Sequence, residues 1–303
     1  MKAWKKRGLV FCPNQNFGWM QTHAAVPIAE RIEGDLYRIY FSTRDATNRS
    51  RTGYVVIDLQ KPQAILELSE NPVLDIGALG TFDDSGAMAT WLAEWNGQRY
   101  LYYIGWNLGV TVPFRNSIGL AMGAPTRNFE KIYEGPIVDR TMREPHFCAS
   151  CCVIPGADVW RMWYLSCTGW EVRDGRPSHH YHIKYAESDD GVDWRRTGQV
   201  AIDFGDSQEY AISRPSVLYA GGLWRMWYSH RGAAYRIGYA ESENGIDWSR
   251  RDALAGISVS ETGWDSEMIE YPHVFQHDGQ TFMLYNGNGY GATGVGLAVL
   301  ESK

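Results

Sequence analysis

One pattern returns five times along this chain and narrows its fold more than any other feature. A small or apolar stretch leads through a charged or Gly-containing turn to a pair of aromatic residues. The five copies are 26–41 (VPIAERIEGDLYRIYF), 89–103 (ATWLAEWNGQRYLYY), 150–164 (SCCVIPGADVWRMWY), 214–228 (RPSVLYAGGLWRMWY) and 271–285 (YPHVFQHDGQTFMLY). Each is followed by another short apolar run: GYVVID, SIGLAMG, HIKYAES, RIGYAES and GVGLAVL. The closing aromatics Phe41, Tyr103, Tyr164, Tyr228 and Tyr285 recur roughly every 60 residues, a period that in strand-only repeats means a propeller or solenoid.

Each copy reads as up to four strands. The turns between the first two strands carry Gly or Asp, as hairpins require. The near-identical turns SDDGVDW (188–194) and SENGIDW (242–248) read as tight acidic turns whose Trp covers a hydrophobic edge. The fifth copy stops one strand short at Leu300, while the strand-like GLVF at 8–11 precedes the first copy. The pattern predicts an all-β, five-bladed β-propeller of four-stranded antiparallel blades, its ring closed by the N-terminal strand in the last blade. Closure of that kind removes exposed strand edges. The repeats run from end to end without a Pro/Ser-rich linker, so residues 1–303 read as one domain.

The chain has 303 residues, 44% of them hydrophobic and 14% aromatic, enough for a substantial core. Its net charge of −6 does not favour nucleic acid or an acidic membrane surface as a partner. No 18-residue apolar run and no secretory leader are visible, and the five cysteines (Cys12, Cys148, Cys151, Cys152, Cys167) are odd in number. A reduced, cytoplasmic protein is the expectation.

Strand direction then sorts the connections. Segments before each first strand and between each second and third strand share one face. The second-to-third connections are long and individual: 42–53, 105–117, 166–181, 229–236 and 286–294. Individual loops on a repetitive scaffold are where function usually sits.

The segments leading into the first strands carry acid and imidazole: His23, Asp83, Asp84, Glu144, His146, Glu209, Arg214, Glu267 and Glu270. A ring would bring them towards one central funnel, with about half facing inward because strand side chains alternate. Crowded buried carboxylates split their pKa values into an acid and a base, the pair that glycoside cleavage needs. Asp84 and Glu144 are the first pair, with Glu144 as proton donor and Asp84 as base or nucleophile. Glu267, a third catalytic candidate, and Glu270 stand in reserve. For any one of these acids a capping or ion-pairing role is equally compatible with its position.

The long connections add arginines, among them Arg44, Arg49, Arg115 and Arg231, whose forks hold carboxylate or phosphate. Neutralising the buried acids is their alternative role. With Arg214, His23, Asp83, Trp106, Asn107, Glu270, Tyr271, Asn286 and Asn288 they make the expected substrate-binding set. Trp19, Trp106, Trp170, Trp264 and Tyr290 offer flat rings for sugar stacking. An anionic or phosphorylated sugar, as a small molecule or an oligosaccharide, is the expected partner. No cofactor and no metal are expected: SHHYH (178–182) lacks a nearby acid or Cys, and CASCC (148–152) reads as strand packing. A non-catalytic glycan or nucleotide-sugar binder, a phosphate-dependent phosphorylase and a protein-binding scaffold are the competing functions.

The five-fold pattern, with STRDATNRS (42–50), GTFDDSG (80–86), EYAISRPSV (209–217) and GWDSEMIEYP (263–272), resembles the five-bladed propeller glycosidases. These include arabinanases, xylosidases, invertases, levansucrases and mannoside phosphorylases. These motifs look like a glycosidase-like branch associated with bacterial surface-polysaccharide gene clusters. It implies the same fold and acid/base cleavage of a sugar bond. The arabinanase-type enzymes place an Asp just before the Pro of the first inner strand, where this chain has Val26. The invertase Asn-Asp-Pro is also absent, so the family's catalytic triad does not transfer residue by residue. The phosphorylase branch binds phosphate with Arg and His, for which Arg214 and His23 are the counterparts by type alone.

Overall fold

In a computed structural model the chain is described over residues 3–124 and 128–301. Its regular structure is almost all strand. In chain order the strands are β1 (Ala3–Phe11), β2 (Thr22–Glu33), β3 (Leu36–Arg44), β4 (Ser50–Asp58), β5 (Ile65–Leu68), β6 (Gly86–Trp95), β7 (Gln98–Leu108), β8 (Phe114–Gly123), β9 (Glu130–Lys131) and β10 (Cys148–Ile154). They continue as β11 (Trp160–Arg173), β12 (Arg176–Ser188), β13 (Val200–Ile202), β14 (Ala211–Ala220), β15 (Leu223–Arg231), β16 (Tyr235–Ser242), β17 (Ser249–Arg250), β18 (Glu270–His277), β19 (Gln280–Asn286) and β20 (Val295–Glu301). Two short turns accompany the strands: a 3-10 turn at Asp252–Leu254, and α1 (Asn288–Gly291) between β19 and β20, in which Gly289 and Tyr290 sit at positive φ.

The strands pair antiparallel in runs of four: β2 to β5, β6 to β9, β10 to β13 and β14 to β17. A single parallel bridge, Ser50 to Gly86, joins the first two runs, and Tyr181 to Ala211 joins the next two. The last run is β18–β19–β20 with β1 added antiparallel to β20, so the stretch 8–11 lies in the C-terminal sheet. Each run begins with an inner strand, and those strands pack in cyclic order: β2 on β6, β6 on β10, β10 on β14, β14 on β18 and β18 on β2.

Short polar ties repeat this order. Ala89 N donates to Thr52 Oγ1 (2.9 Å), Cys151 N to Thr90 Oγ1 (3.3 Å), Arg214 N to Ser150 Oγ (3.0 Å), Val274 N to Ser216 Oγ (2.8 Å) and Val26 N to Asn286 Oδ1 (2.9 Å). Each inner strand carries a register shift in this zone. The shift frees a backbone N–H from its own ladder, and a buried N–H needs a partner. Between neighbouring runs lie aromatic and aliphatic cores, such as Trp91, Tyr102, Trp160, Trp163 and Tyr164 in the largest. The acidic turns are self-capped: Asp190 Oδ1 accepts from Val192 N (2.8 Å) and Asp193 N (2.9 Å), and Asn244 Oδ1 repeats this with Ile246 N and Asp247 N.

The long connections differ from expectation. Most of 166–181 is not loop but the extended hairpin of β11 and β12, paired as far as Arg173 with Arg176. Its turn is Asp174-Gly175, with φ of 49° and 73°. Asp-Gly suits a two-residue hairpin because both positions tolerate positive φ. Likewise 42–53 is mostly β3 and β4, leaving only 45–49 between them.

Candidate functional site

Most buried acids of the predicted set are committed to a repeating internal pairing. Asp83 accepts from Tyr103 Oη (3.1 Å) and Lys131 Nζ (2.6 Å). Glu144 accepts from Tyr164 Oη (2.9 Å), Lys184 Nζ (2.9 Å) and Arg196 Nη1 (2.7 Å). Asp265 accepts from Tyr285 Oη (3.0 Å) and Lys6 Nζ (2.7 Å). In all three the acid precedes its tyrosine by 20 residues, and that tyrosine is the closing aromatic of the repeat. Burial, followed by the neighbouring carboxylate, raises the pKa of Tyr103, Tyr164 and Tyr285. Glu209 is a variant: it takes His230 Nδ1 (2.8 Å), Arg250 (2.6 Å) and Gly205 N (2.6 Å). Its carboxyl sits at about 2, because these hydrogen bonds and the Arg250 charge outweigh the opposing effect of burial. In the first repeat Phe41 has no hydroxyl, and buried Met20 stands near the acid position.

Two of the expected site residues are thus already engaged by side chains of the fold. Glu144 does not stand as an unpaired proton donor, since Tyr164, Lys184 and Arg196 engage both its oxygens. Asp83 is likewise engaged by Thr81, Tyr103 and Lys131.

One acid is different. Glu270, the first residue of β18, is 0% exposed, and neither carboxylate oxygen has a side-chain or backbone hydrogen-bond partner of good geometry. Burial raises its pKa well above the carboxylate range; the Arg231 charge and the Tyr290 backbone oppose this only in part. Around it stand phenols. Tyr181 and Tyr235 share a hydroxyl–hydroxyl hydrogen bond, and the Tyr235 ring lies 6.4 Å from that of Tyr271 and 6.0 Å from that of Tyr290. Glu270 helps to raise the pKa of Tyr181, Tyr235 and Tyr271, after their burial.

Arg231 completes the cluster. It donates through Nη1 to Tyr290 Oη (2.6 Å), stacks over Tyr210, Tyr235 and Tyr290, and keeps an unpartnered Nε. Arg44 lies close enough to act on both Tyr271 and His23. His23 drops to about 4, through burial first and Arg44 second. His179, stacked on Tyr181, also falls to about 4 through burial, then Arg231 and His180. One wall is apolar: Phe147, Leu165, Cys167 and Ala211 pack with Phe114, Trp170 and Met268. One residue before Arg231, His230 borders a cleft of about 450 Å³ lined also by Asp206, Gln208, Glu209 and Arg250. The site thus holds a buried carboxyl whose pKa burial pushes up, a cation with a free donor and several aromatic rings.

Of the predicted set, the structure brings together Glu270, Tyr271, Arg231, Arg44 and His23. Others lie elsewhere or are occupied. Asp84 is half-buried and caps its own turn, accepting from Gly80 N (3.0 Å) and Ser85 Oγ (2.9 Å). Glu267 is exposed, and its backbone N–H donates to Asn288 Oδ1 (2.8 Å). Asn288 also donates to Gly263 O, so it shapes this loop. Asn286 is fully buried, with its amide spent on Ala24 O, Gly294 O and Val26 N. Arg49 pairs with Asp45. Asn107 and Arg115 face each other across β7 and β8, with Arg115 exposed. Trp106 covers Gly86, where an added Cβ would sit 1.8 Å from its indole nitrogen. Arg214 is fully buried, with Nη2 donating to Pro27 O (2.9 Å). The histidines of 178–182 take separate partners: His180 meets Glu171 and His182 meets Asp203. Among the described residues one group of three metal-type ligands gathers, Asp35, His277 and Asp278, and Tyr37 and Asp35 occupy the two nitrogens of His277.

Tyr181, Tyr235, Tyr210 and His179 were not in the predicted set. A signal existed: YHIKYAES (181–188) and YRIGYAES (235–242) align, placing Tyr181 and Tyr235 at one repeat position.

No family model matches the chain. A relative occurs in two strains of Mycobacterium tuberculosis, as uncharacterized protein MT1551 (CDC 1551 / Oshkosh) and uncharacterized protein Rv1502 (ATCC 25618 / H37Rv). Each is 46% identical over 300 residues, covering 99% of this chain and 100% of the relative. The chain belongs to the Rv1502 family. Among solved structures, a glycoside hydrolase superposes with a TM-score of 0.74 at 18% identity, covering 98% of this chain and 91% of its own. A thermostable family-43 glycoside hydrolase superposes at 0.69 with 19% identity, covering 96% and 92%. This member of the Rv1502 family therefore has a glycosidase-like, all-β fold.

Proposed function

We propose that this protein is a five-bladed β-propeller enzyme that cleaves a glycosidic or glycosyl-phosphate bond of an anionic sugar by carboxylate acid/base chemistry. Cyclic packing of the inner strands and the addition of β1 to the last sheet support the ring. The observation that carries the chemistry is Glu270, a buried and unpaired acid whose proton is held above the usual carboxylate range. A general acid works best when its pKa approaches the working pH.

In this reading Glu270 gives its proton to the leaving-group oxygen as the bond to the anomeric carbon breaks. Water or phosphate forms the new bond. Glu267, on the loop that leads into β18 and tied by its backbone to Asn288, is the candidate second carboxylate that takes the proton of an attacking water, while Asp84 caps its own turn and Glu144 is engaged in charge pairing. Arg231, through its free Nε, and Arg44 grip the anionic group. The tyrosine rings and Trp170 stack against the apolar faces of the sugar. The five free cysteines suit a reducing compartment, the cytoplasm.

The test is incubation with a panel of nucleotide sugars, sugar 1-phosphates, and oligosaccharides with and without free phosphate, with products read by mass spectrometry. Turnover by the wild type that collapses in Glu270→Gln supports the reading; full turnover by that variant ends it. A binding-only protein is the second reading, favoured by Val26 where related enzymes carry an acid. It predicts ligand-induced thermal stabilisation with no product.

A further inference from the structure

Glu270, the proton donor of the proposed reaction, is sealed. It is 0% exposed, so no sugar oxygen reaches it unless a neighbour moves. Of the phenols around it, Tyr181 and Tyr235 are themselves buried, whereas Tyr290 is 37% exposed. Tyr290 thus bridges the carboxyl and the solvent: its backbone acts on Glu270, and its ring reaches the surface.

Tyr290 belongs to the glycine-rich stretch 286–294 (NGNGYGATG). Gly289 and Tyr290 are consecutive left-handed residues, with φ 67° and ψ 38°, then φ 60° and ψ 36°. For a tyrosine this region is strained, and such strain persists only where contacts hold it. The flanks are fixed. Asn288 N donates to Trp264 O (2.9 Å), and Asn288 Oδ1 accepts from Glu267 N (2.8 Å) and Met268 N (3.2 Å). Gly291 is buried, and a Cβ there would lie 3.0 Å from Ala25 Cα. That leaves Gly289 and Tyr290 as the part that can swing, with a glycine on either side of the tyrosine to absorb the backbone change.

The side chain of Tyr290 is latched. Its hydroxyl accepts from Arg231 Nη1 (2.6 Å), its ring meets that of Tyr235 at 6.0 Å, edge to face, and the Arg231 guanidinium carbon lies 5.8 Å from its ring centre. Arg231 is also the cation that would grip the anionic group of a substrate, with its Nε unpartnered. Phenol and substrate anion therefore compete for one guanidinium. A phosphate brings opposite charge and accepts from the guanidinium fork bidentately, which a single phenol oxygen does not match. The anion wins that competition.

We propose that Tyr290 is an anion-released gate over Glu270: Arg231 holds the gate shut through the phenol, and a phosphate group that takes the guanidinium frees the turn and opens the path to the carboxyl. This gate presupposes that Glu270 is the acid of the site. It reconciles an acid sealed from water with a substrate that must touch it. It also makes the anionic group a condition of access and not only of affinity, because a neutral sugar leaves the latch in place.

Amide hydrogen exchange resolved over residues 287–294 tests the gate without any turnover. The N–H groups of Ala292 and Thr293 bond back to Gly289 O (3.1 Å) and Asn288 O (3.3 Å), so their exchange reports opening of the turn. The wild-type protein is compared in chloride, in inorganic phosphate and in a hexose 1-phosphate at equal ionic strength. Exchange several-fold faster in a phosphate arm than in chloride is expected, and the arm that saturates at the lower concentration tells free phosphate from the sugar ester as the releasing ligand. Tyr290→Phe, which keeps the ring and loses the hydroxyl, is expected to exchange fast in all three solutions. Protection in the wild type that neither phosphate changes overturns the gate, as does an undiminished phosphate response in Tyr290→Phe. The two failures are distinguishable: a missing phosphate response with Glu270→Gln still inactive sinks the gate alone, and full turnover by Glu270→Gln sinks the acid.

Discussion

Glu144, in the segment leading into β10, and Glu270, the first residue of β18, are both buried acids, yet they differ in every partner. Glu144 is 5% exposed and holds a phenol, a lysine and an arginine. Glu270 is 0% exposed and holds none by a hydrogen bond. Burial is therefore common to structure and chemistry, and the partner set separates them. A carboxylate whose lone pairs are all engaged braces the fold. One left alone in an apolar, phenol-lined site keeps its proton available for transfer.

The largest effect expected from this contrast is on turnover. On a substrate identified from the panel, Glu270→Gln lowers kcat/KM by about 10²–10⁴-fold, the usual worth of a general acid. Glu144→Gln keeps most activity in whatever fraction folds. Stability should move the opposite way. Glu144→Gln leaves Lys184 and Arg196 without their anion and costs about 3 kcal/mol in chemical denaturation. Equal stability of the two variants would dissolve the contrast.

The pH dependence sharpens it further. Glu270 has a raised folded pKa, so relative to the unfolded chain it favours the fold below the ordinary carboxylate pKa and disfavours it as pH rises. Glu270→Gln is thus expected to match wild-type melting near pH 4 and exceed it near pH 8. His23 and His179 titrate the other way: both are lowered to about 4 in the fold, so their contribution is complete above about 6.5. It is lost as pH falls towards 4, and proton uptake on unfolding in that window is the readout. The smallest effect belongs to Arg49, which is exposed and pairs with Asp45. Arg49→Ala should change stability by under about 1 kcal/mol and leave turnover alone.

What was legible in the sequence follows range. The aromatic closings at Tyr103, Tyr164, Tyr228 and Tyr285 and the Gly/Asp turns are local signals, and β7, β11, β15 and β19 appear where they point. The strand character of 8–11 was equally plain, and that segment lies in β1 beside β20. The hairpin within 166–181 escaped because its polar, histidine-rich pairs, such as Trp170 with His179, imitate loop composition. Its Asp174-Gly175 turn was the overlooked sign. The isolation of Glu270 was out of reach for another reason. It depends on Tyr181, Arg231, Tyr235 and Tyr290, which arrive from three other strands and a helical turn, and no residue near 270 records their absence of hydrogen bonds to it. Glu144, by contrast, carried the repeat's 20-residue spacing to its tyrosine, and comparison with Asp83 and Asp265 exposes it as a brace.

The central claim is that Glu270 is protonated at neutral pH, and infrared difference spectroscopy between wild type and Glu270→Gln measures this without any substrate. A protonated-carboxyl carbonyl band present in wild type at pH 7 and missing from the variant is the predicted result. A carboxylate band assigned to Glu270 at pH 7 would contradict it and remove the proton donor from the proposed reaction.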